Sequence, residues 1–197
     1  ANIHKKIRVL NNVRKDLLLG YCKISRKMLQ NIPSEITDLE NIARVVDTTF
    51  SYFLEKNIES IVQAKPGSNP EDGIELLVQD TTFITHNANI LSEFGMMLAI
   101  LHIDKVHMVT EMFLHLSTGG DYEVLYYAML FFEKALKAQQ VSEEETGNII
   151  QFCIAALEGI RVDVHLNQLL NVICALPKKV VISDLWGNLI EFFESTC

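Results

Sequence analysis

Between Pro70 and Pro177 the chain runs for 106 residues without a proline. Proline breaks helix interiors, because it lacks an N–H and its ring clashes with the preceding turn. A long proline-free stretch with apolar residues at helical spacing therefore reads as a succession of helices. No strand alternation competes with it beyond the short ambiguous segment from Lys179 to Ile182. The expected fold class is all-α. At 197 residues the chain fits one domain or one compact array of small units. With 49% hydrophobic and 21% charged residues, disorder is excluded over most of the length.

The spacing predicts helices over residues 2–30, 35–63, 70–87, 89–102, 104–117, 121–140, 142–160, 162–176 and 183–195. Local signals mark the joints. Ser34, Asp104 and Asp121 suit helix starts, and Ser142 with Glu145 has capping-box spacing. The clearest linker is 64–73, where Asn69 can cap and Pro70 fits a first helical position. Phe94–Ile103 and Val124–Phe132 are apolar around more than half their circumference, as expected of helices covered on two sides. Short helices with tight joints suit antiparallel neighbours stacked in an array.

Charge divides the chain. Residues 1–30 hold eight basic side chains and one acid, Asp16, whereas residues 31–197 sum to −15. The basic segment, 1–31, reads as a long heptad-patterned helix joined to an all-α body, 32–197. Ile3, Leu10, Leu17 and Ile24 alternate with Ile7, Arg14, Tyr21 and Met28 to form a seam broken only at Arg14. Val13, Leu18 and Leu19 widen the apolar face, which favours packing against a body over a pure two-stranded coil. Three roles follow for this helix: a structural cap docked on the acidic body, a homodimer or partner seam, or contact with phosphates or an acidic membrane. Its apolar content favours the first two. The acidic body argues against a broad nucleic-acid-binding face.

Signals for chemistry are sparse. Cys22, Cys153, Cys174 and Cys197 form no Cys-x-x-Cys pair, and scattered cysteines suggest reduced core residues of an intracellular, cytoplasmic or nuclear protein. His102 and His107 are five apart, not the four that places two metal ligands on one helical face. No nucleophile elbow or glycine-rich phosphate loop occurs, so no catalytic, cofactor or metal residues are assigned. No apolar run is long enough to span a bilayer, and residues 1–15 do not resemble a secretory signal. The absent initiator Met and the stop after an apolar helix suggest a fragment of a longer protein.

Residues 70–195 resemble the armadillo/HEAT superfamily of helical repeats. Asp104, Asp121, Ser142 and Asp163 open helices at spacings near 20, and two spacings make a repeat of about 40. The resemblance implies a protein-binding scaffold without catalysis, with a groove lined by alternate helices. Its ligand would be a peptide or helix, and acidic rims would select a basic one. Tyr126, Tyr127, Met108 and Met112 are the candidate anchors in the body, and Ile7, Arg14 and Tyr21 those on the basic helix. A second, local resemblance lies at 185–193. Trp186-Gly187 followed by apolar residues is similar to the first homology motif of apoptosis-regulating B-cell-lymphoma-type proteins. Leu185 and Asn188 stand where that motif has Asn and Arg, which puts its peptide-binding ion pair in doubt. The plain reading is that Trp186, Ile190 and Phe193 form the buried face of a final helix. The alternatives to a scaffold are therefore a compact all-α regulator of that type or a small helical enzyme with one central pocket.

Overall fold

The computed structural model describes residues 2–31, 38–64, 72–116, 118, 121–160, 163–177 and 183–196. Among them the chain is all-α and contains no strand. The helices are α1 (Asn2–Gln30), α2 (Leu39–Ala64), α3 (Gly73–Val78), α4 (Thr81–Ile100), α5 (Val106–Leu114), α6 (Tyr122–Lys137), α7 (Glu143–Gly159), α8 (Asp163–Ala175) and α9 (Ser183–Thr196). The expected signals at Ser34, at Asn69-Pro70 and at 179–182 lie outside the described residues, as do linker residues 65–71.

The helices pack in two rows. In one, α1 lies on α4, α4 on α6 and α6 on α8; in the other, α3 lies on α5, α5 on α7 and α7 on α9, with α2 beside α3. Contacts of α2 and α5 with α4, and of α7 with α8, join the rows. Phenylalanines carry the core across them. Phe50 of α2 sits 5.1 Å from Phe94 of α4, Phe113 of α5 5.6 Å from Phe131 of α6, and Phe132 5.3 Å from Phe152 of α7.

The expectation of one helix over 70–87 is corrected. α3 ends at Val78, and Asp80 starts α4 by accepting hydrogen bonds from the Thr82 and Phe83 amides at 3.0 Å. Four orphan N–H groups at a helix start need such partners, and a carboxylate at the cap position supplies them. Asp104 does not cap α5 with its side chain; its carbonyl accepts from the His107 amide at 3.1 Å. Asp121 caps α6 through the Glu123 amide, and Ser142 with Glu145 forms the expected capping box on α7. α4 and α6 end without glycine. His102 (φ 55°) and Gln139 (φ 56°) take the left-handed conformation, and the amides of Ile103 and Gln140 reach back to the carbonyls of Leu98 and Ala135.

α4 is the central helix, with every residue from Ile90 to Ala99 buried. Two of these are polar. Ser92 Oγ donates to the Tyr127 carbonyl of α6 at 2.9 Å. Glu93 accepts from Arg26 of α1, from Nε at 2.5 Å and from Nη2 at 3.3 Å. This ion pair fastens the basic helix to the body. The docked face of α1 is Cys22 and Leu29, flanked by Leu18 and Leu19. The heptad seam is not the docked face: Leu17, Tyr21, Ile24 and Met28 are exposed. At the far end, α9 meets α7 and buries Leu189, whereas Trp186 and Ile190 are exposed, so the expected buried face of that helix is corrected too.

Candidate functional site

The second row carries a groove. α3 contributes Ile74, Glu75 and Val78, with Asp72 at its start; α5 contributes His107, Met108, Glu111 and Leu114; α7 contributes Glu144, Glu145 and Asn148, with Ser142 at its cap. The cavity is about 870 Å³ and open to solvent along one side. A second hollow of about 520 Å³ shares Glu111, Leu114 and Asn148 and continues to His115, Leu116, Gln151 and Phe152. Together they make one furrow along the α5–α7 junction. Each helix presents these residues because three- and four-residue steps return to the same face. On α7 that face is Glu144, Asn148, Gln151 and Phe152, and on α5 it is Met108, Glu111 and His115.

The groove is acidic over an apolar floor. Among the described residues its lining holds five carboxylates, Asp72, Glu75, Glu111, Glu144 and Glu145, and no Lys or Arg. The floor is Ile74, Val78, Met108 and Leu114. One carboxylate is already engaged: Glu145 pairs with His107 Nδ1 at 2.9 Å and closes the capping box of α7. Glu111 and Glu144 are exposed and carry no side-chain partner among the described contacts, so their charge is directed at whatever enters. Lys105 Nζ binds Asp47 at 2.7 Å and Ser51 Oγ at 2.6 Å, tying the start of α5 to α2.

The expected anchors separate. Met108 lies in the groove and is half-buried. Met112, one turn on, is fully buried in the core, so it leaves the candidate surface. Tyr126 and Tyr127 lie on α6 in the other row. Tyr126 packs edge-on against His165 of α8 at 5.5 Å, and burial together with the neighbouring Glu123 carboxylate pushes the Tyr127 phenol up. Arg14 and Tyr21 are exposed on α1, and the Ile7 side chain lies outside those described. The spacing of the sequence did not single out Glu111, Glu144 or Asp72. Glu144 reads as a favourable charge at a helix start, and only the lateral packing of α3, α5 and α7 makes it one wall of a groove.

Exposed carboxylates above an apolar floor favour the approach of positive charge and leave apolar area to be covered. Among the described residues no group of three or more His, Cys, Asp or Glu is placed to hold a metal ion, and no helix is long and apolar enough to cross a membrane. Comparison with protein-family models, curated proteins and solved structures gives no significant match.

Proposed function

We propose that the chain is a non-enzymatic interaction scaffold, layered like an armadillo/HEAT array, that takes a basic segment of a partner protein in the acidic groove between α3, α5 and α7. The observation that carries this reading is the groove itself: five carboxylates, no Lys or Arg among its described lining, and an apolar floor, built where alternate helices lie side by side. A segment with Lys or Arg on one edge and Leu or Met on the other satisfies both parts. Apolar burial on Ile74, Met108 and Leu114 supplies most of the affinity, at about 25 cal/mol per Å². The carboxylates supply steering and selection, at about 0.2–1 kcal/mol per exposed pair.

The test is a titration with a fluorescein-labelled twelve-residue peptide of alternating Lys and Leu, read by anisotropy. Binding in the micromolar range is expected, weakening by about tenfold in Glu111→Lys/Glu144→Lys and falling with added salt. A peptide of the same pattern with Glu in place of Lys is expected not to bind. Equal binding of the basic peptide to wild type and to the variant would end this reading.

A further inference from the structure

α1 carries a second, independent surface. Leu17, Tyr21, Ile24 and Met28 are 69%, 45%, 63% and 68% exposed, and Val13 beside them is 48% exposed. Soluble surfaces scatter large apolar residues singly. Here they recur at four- and three-residue steps along one stripe, on the side of α1 turned away from Cys22 and Leu29, which face α4. That 3.5-residue period is the pattern of a helix meeting another helix knobs-into-holes. α1 is also the first member of its row, and a stacked array whose end helix keeps an apolar outer face is left uncapped.

We infer that this stripe is a homodimer interface, in which α1 of one copy pairs antiparallel with α1 of a second. Three observations favour a second copy as the occupant. The stripe is self-complementary: reversing one helix about its middle sets Leu17 against Met28 of the second copy and Tyr21 against Ile24. In that register one flank of the seam brings Lys27 beside Gly20 of the second copy, the other brings Ser25 beside Leu18, and Arg14 stands against Asn31, so no like charges face each other across the seam. Next, Gly20 is a costly residue in a helix interior, at about 1 kcal/mol relative to Ala. Among the described residues nothing accounts for it, as a Cβ there would meet nothing within 4 Å. Beside the seam it gives a second helix room to approach. Last, the area suffices. At about 200 Å² per large side chain, the exposed fractions amount to roughly 600 Å² per copy and ~1,200 Å² per pair, above the ~1,000 Å² that a specific interface needs. A two-fold contact of this kind closes on itself and stops at two copies.

Sedimentation equilibrium of the intact chain tests this between about 1 and 300 µM. The expected result is a monomer–dimer equilibrium in the micromolar range. Raising salt should leave it unchanged or tighten it, because the contact is apolar and the two basic helices, each with eight Lys or Arg and one acid over residues 1–30, repel as wholes. Ile24→Glu should weaken it by about 30-fold or more, as loss of a buried central side chain does. Since Ile24 is exposed, the variant should keep the wild-type unfolding midpoint when dilute. Gly20→Leu, which fills the approach without adding charge, should also weaken the dimer. A monomer throughout the range would overturn the inference, as would a dimer unmoved by Ile24→Glu. So would species larger than a dimer, which would mean that the stripe seats on the exposed Trp186 and Ile190 of α9 in a head-to-tail chain.

Discussion

Gly95 of α4 sits tight against α5 and α6, and replacing it by alanine tests the packing described above. A Cβ at this position would lie 2.6 and 2.7 Å from Cδ2 and Cε2 of Phe131 and 2.9 Å from Cγ1 of Val109. None of these neighbours can yield easily. Phe131 is fully buried and held between Phe113 at 5.6 Å and Phe132 at 5.7 Å, and Val109 is fully buried on α5. The added methyl therefore forces α4 away from α5 and α6, and overpacking of this kind costs about 1–3 kcal/mol. Against it stands the better helix propensity of alanine, worth about 1 kcal/mol. With three contacts under 3 Å the overpacking falls at about 2–3 kcal/mol, so the net expectation is a loss of about 1–2 kcal/mol, which lowers Tm by roughly 3–6 °C in a domain of this size. Urea unfolding measures the loss, with an unchanged m-value showing that the unfolded state is the same. Gly147 of α7 is the control, because a Cβ there meets nothing within 4 Å. Gly147→Ala should gain up to about 1 kcal/mol. In a Phe131→Leu background the methyl added by Gly95→Ala gains room, so the double-mutant cycle should show favourable coupling of about 1 kcal/mol. A Gly95→Ala protein at or above wild-type stability, or a cycle without coupling, would refute the close approach.

Other expectations follow from single contacts. Arg26→Ala leaves the Glu93 carboxylate buried without its partner and should lose about 2–4 kcal/mol, whereas Lys56→Ala, which breaks an exposed pair with Glu59, should change urea stability by less than about 0.5 kcal/mol. His102→Gly and Gln139→Gly relieve left-handed backbone at non-glycine residues and should each add about 1 kcal/mol in the same assay. The buried thiols of Cys22 and Cys153 are pushed up to about 12 by burial, with the Glu93 charge adding to the effect at Cys22. Their folded-state pKa is raised, so stability is level with respect to these groups below the ordinary thiol value of 9.0 and falls as pH rises from there toward 12, because only the unfolded chain ionises. Alkylation at pH 8 should accordingly reach exposed Cys174 and spare Cys22 and Cys153. Small-angle scattering of the dilute chain bears on the layering: an array exceeds the radius of gyration of about 16 Å that a globular bundle of this length has.

Much of the helical scaffold was legible because the relevant physics is local. The capping box at Ser142 and Glu145 and the cap at Asp121 act over three residues, and the all-round apolar pattern of α4 states that it is covered on two sides. The break at Asp80 escaped because apolar residues continue on both sides of it. Leu77 and Val78 serve α3 while Phe83 and Ile84 serve α4, and the spacing across them still fits one helix. The ends of α4 and α6 were placed within two and three residues, at 102 and 140, but the left-handed turns at His102 and Gln139 that close them were not read. Each takes a conformation that glycine usually marks, stabilised by backbone bonds that involve no distinctive side chain. The candidate site was the least legible part. Met108 and Met112 are chemically alike and one turn apart, yet the lean of α5 against its neighbours leaves one in the groove and buries the other. Asp72, Glu111 and Glu144 are far apart in sequence and become one wall only when α3, α5 and α7 lie side by side. The apolar stripe of α1 was visible as a heptad, but which face docks was decided by Arg26 finding Glu93.

The role proposed for the acidic groove is to read basic segments of other proteins. Its most direct measurement is an unbiased peptide-display selection on the immobilised intact chain, followed by the affinities of the enriched peptides for wild type and for Glu111→Lys/Glu144→Lys. The expected outcome is enrichment of peptides in which Lys or Arg alternates with large apolar residues, and a loss of about tenfold in affinity for the variant. Enrichment without basic residues, or basic peptides that bind both proteins equally, would contradict it.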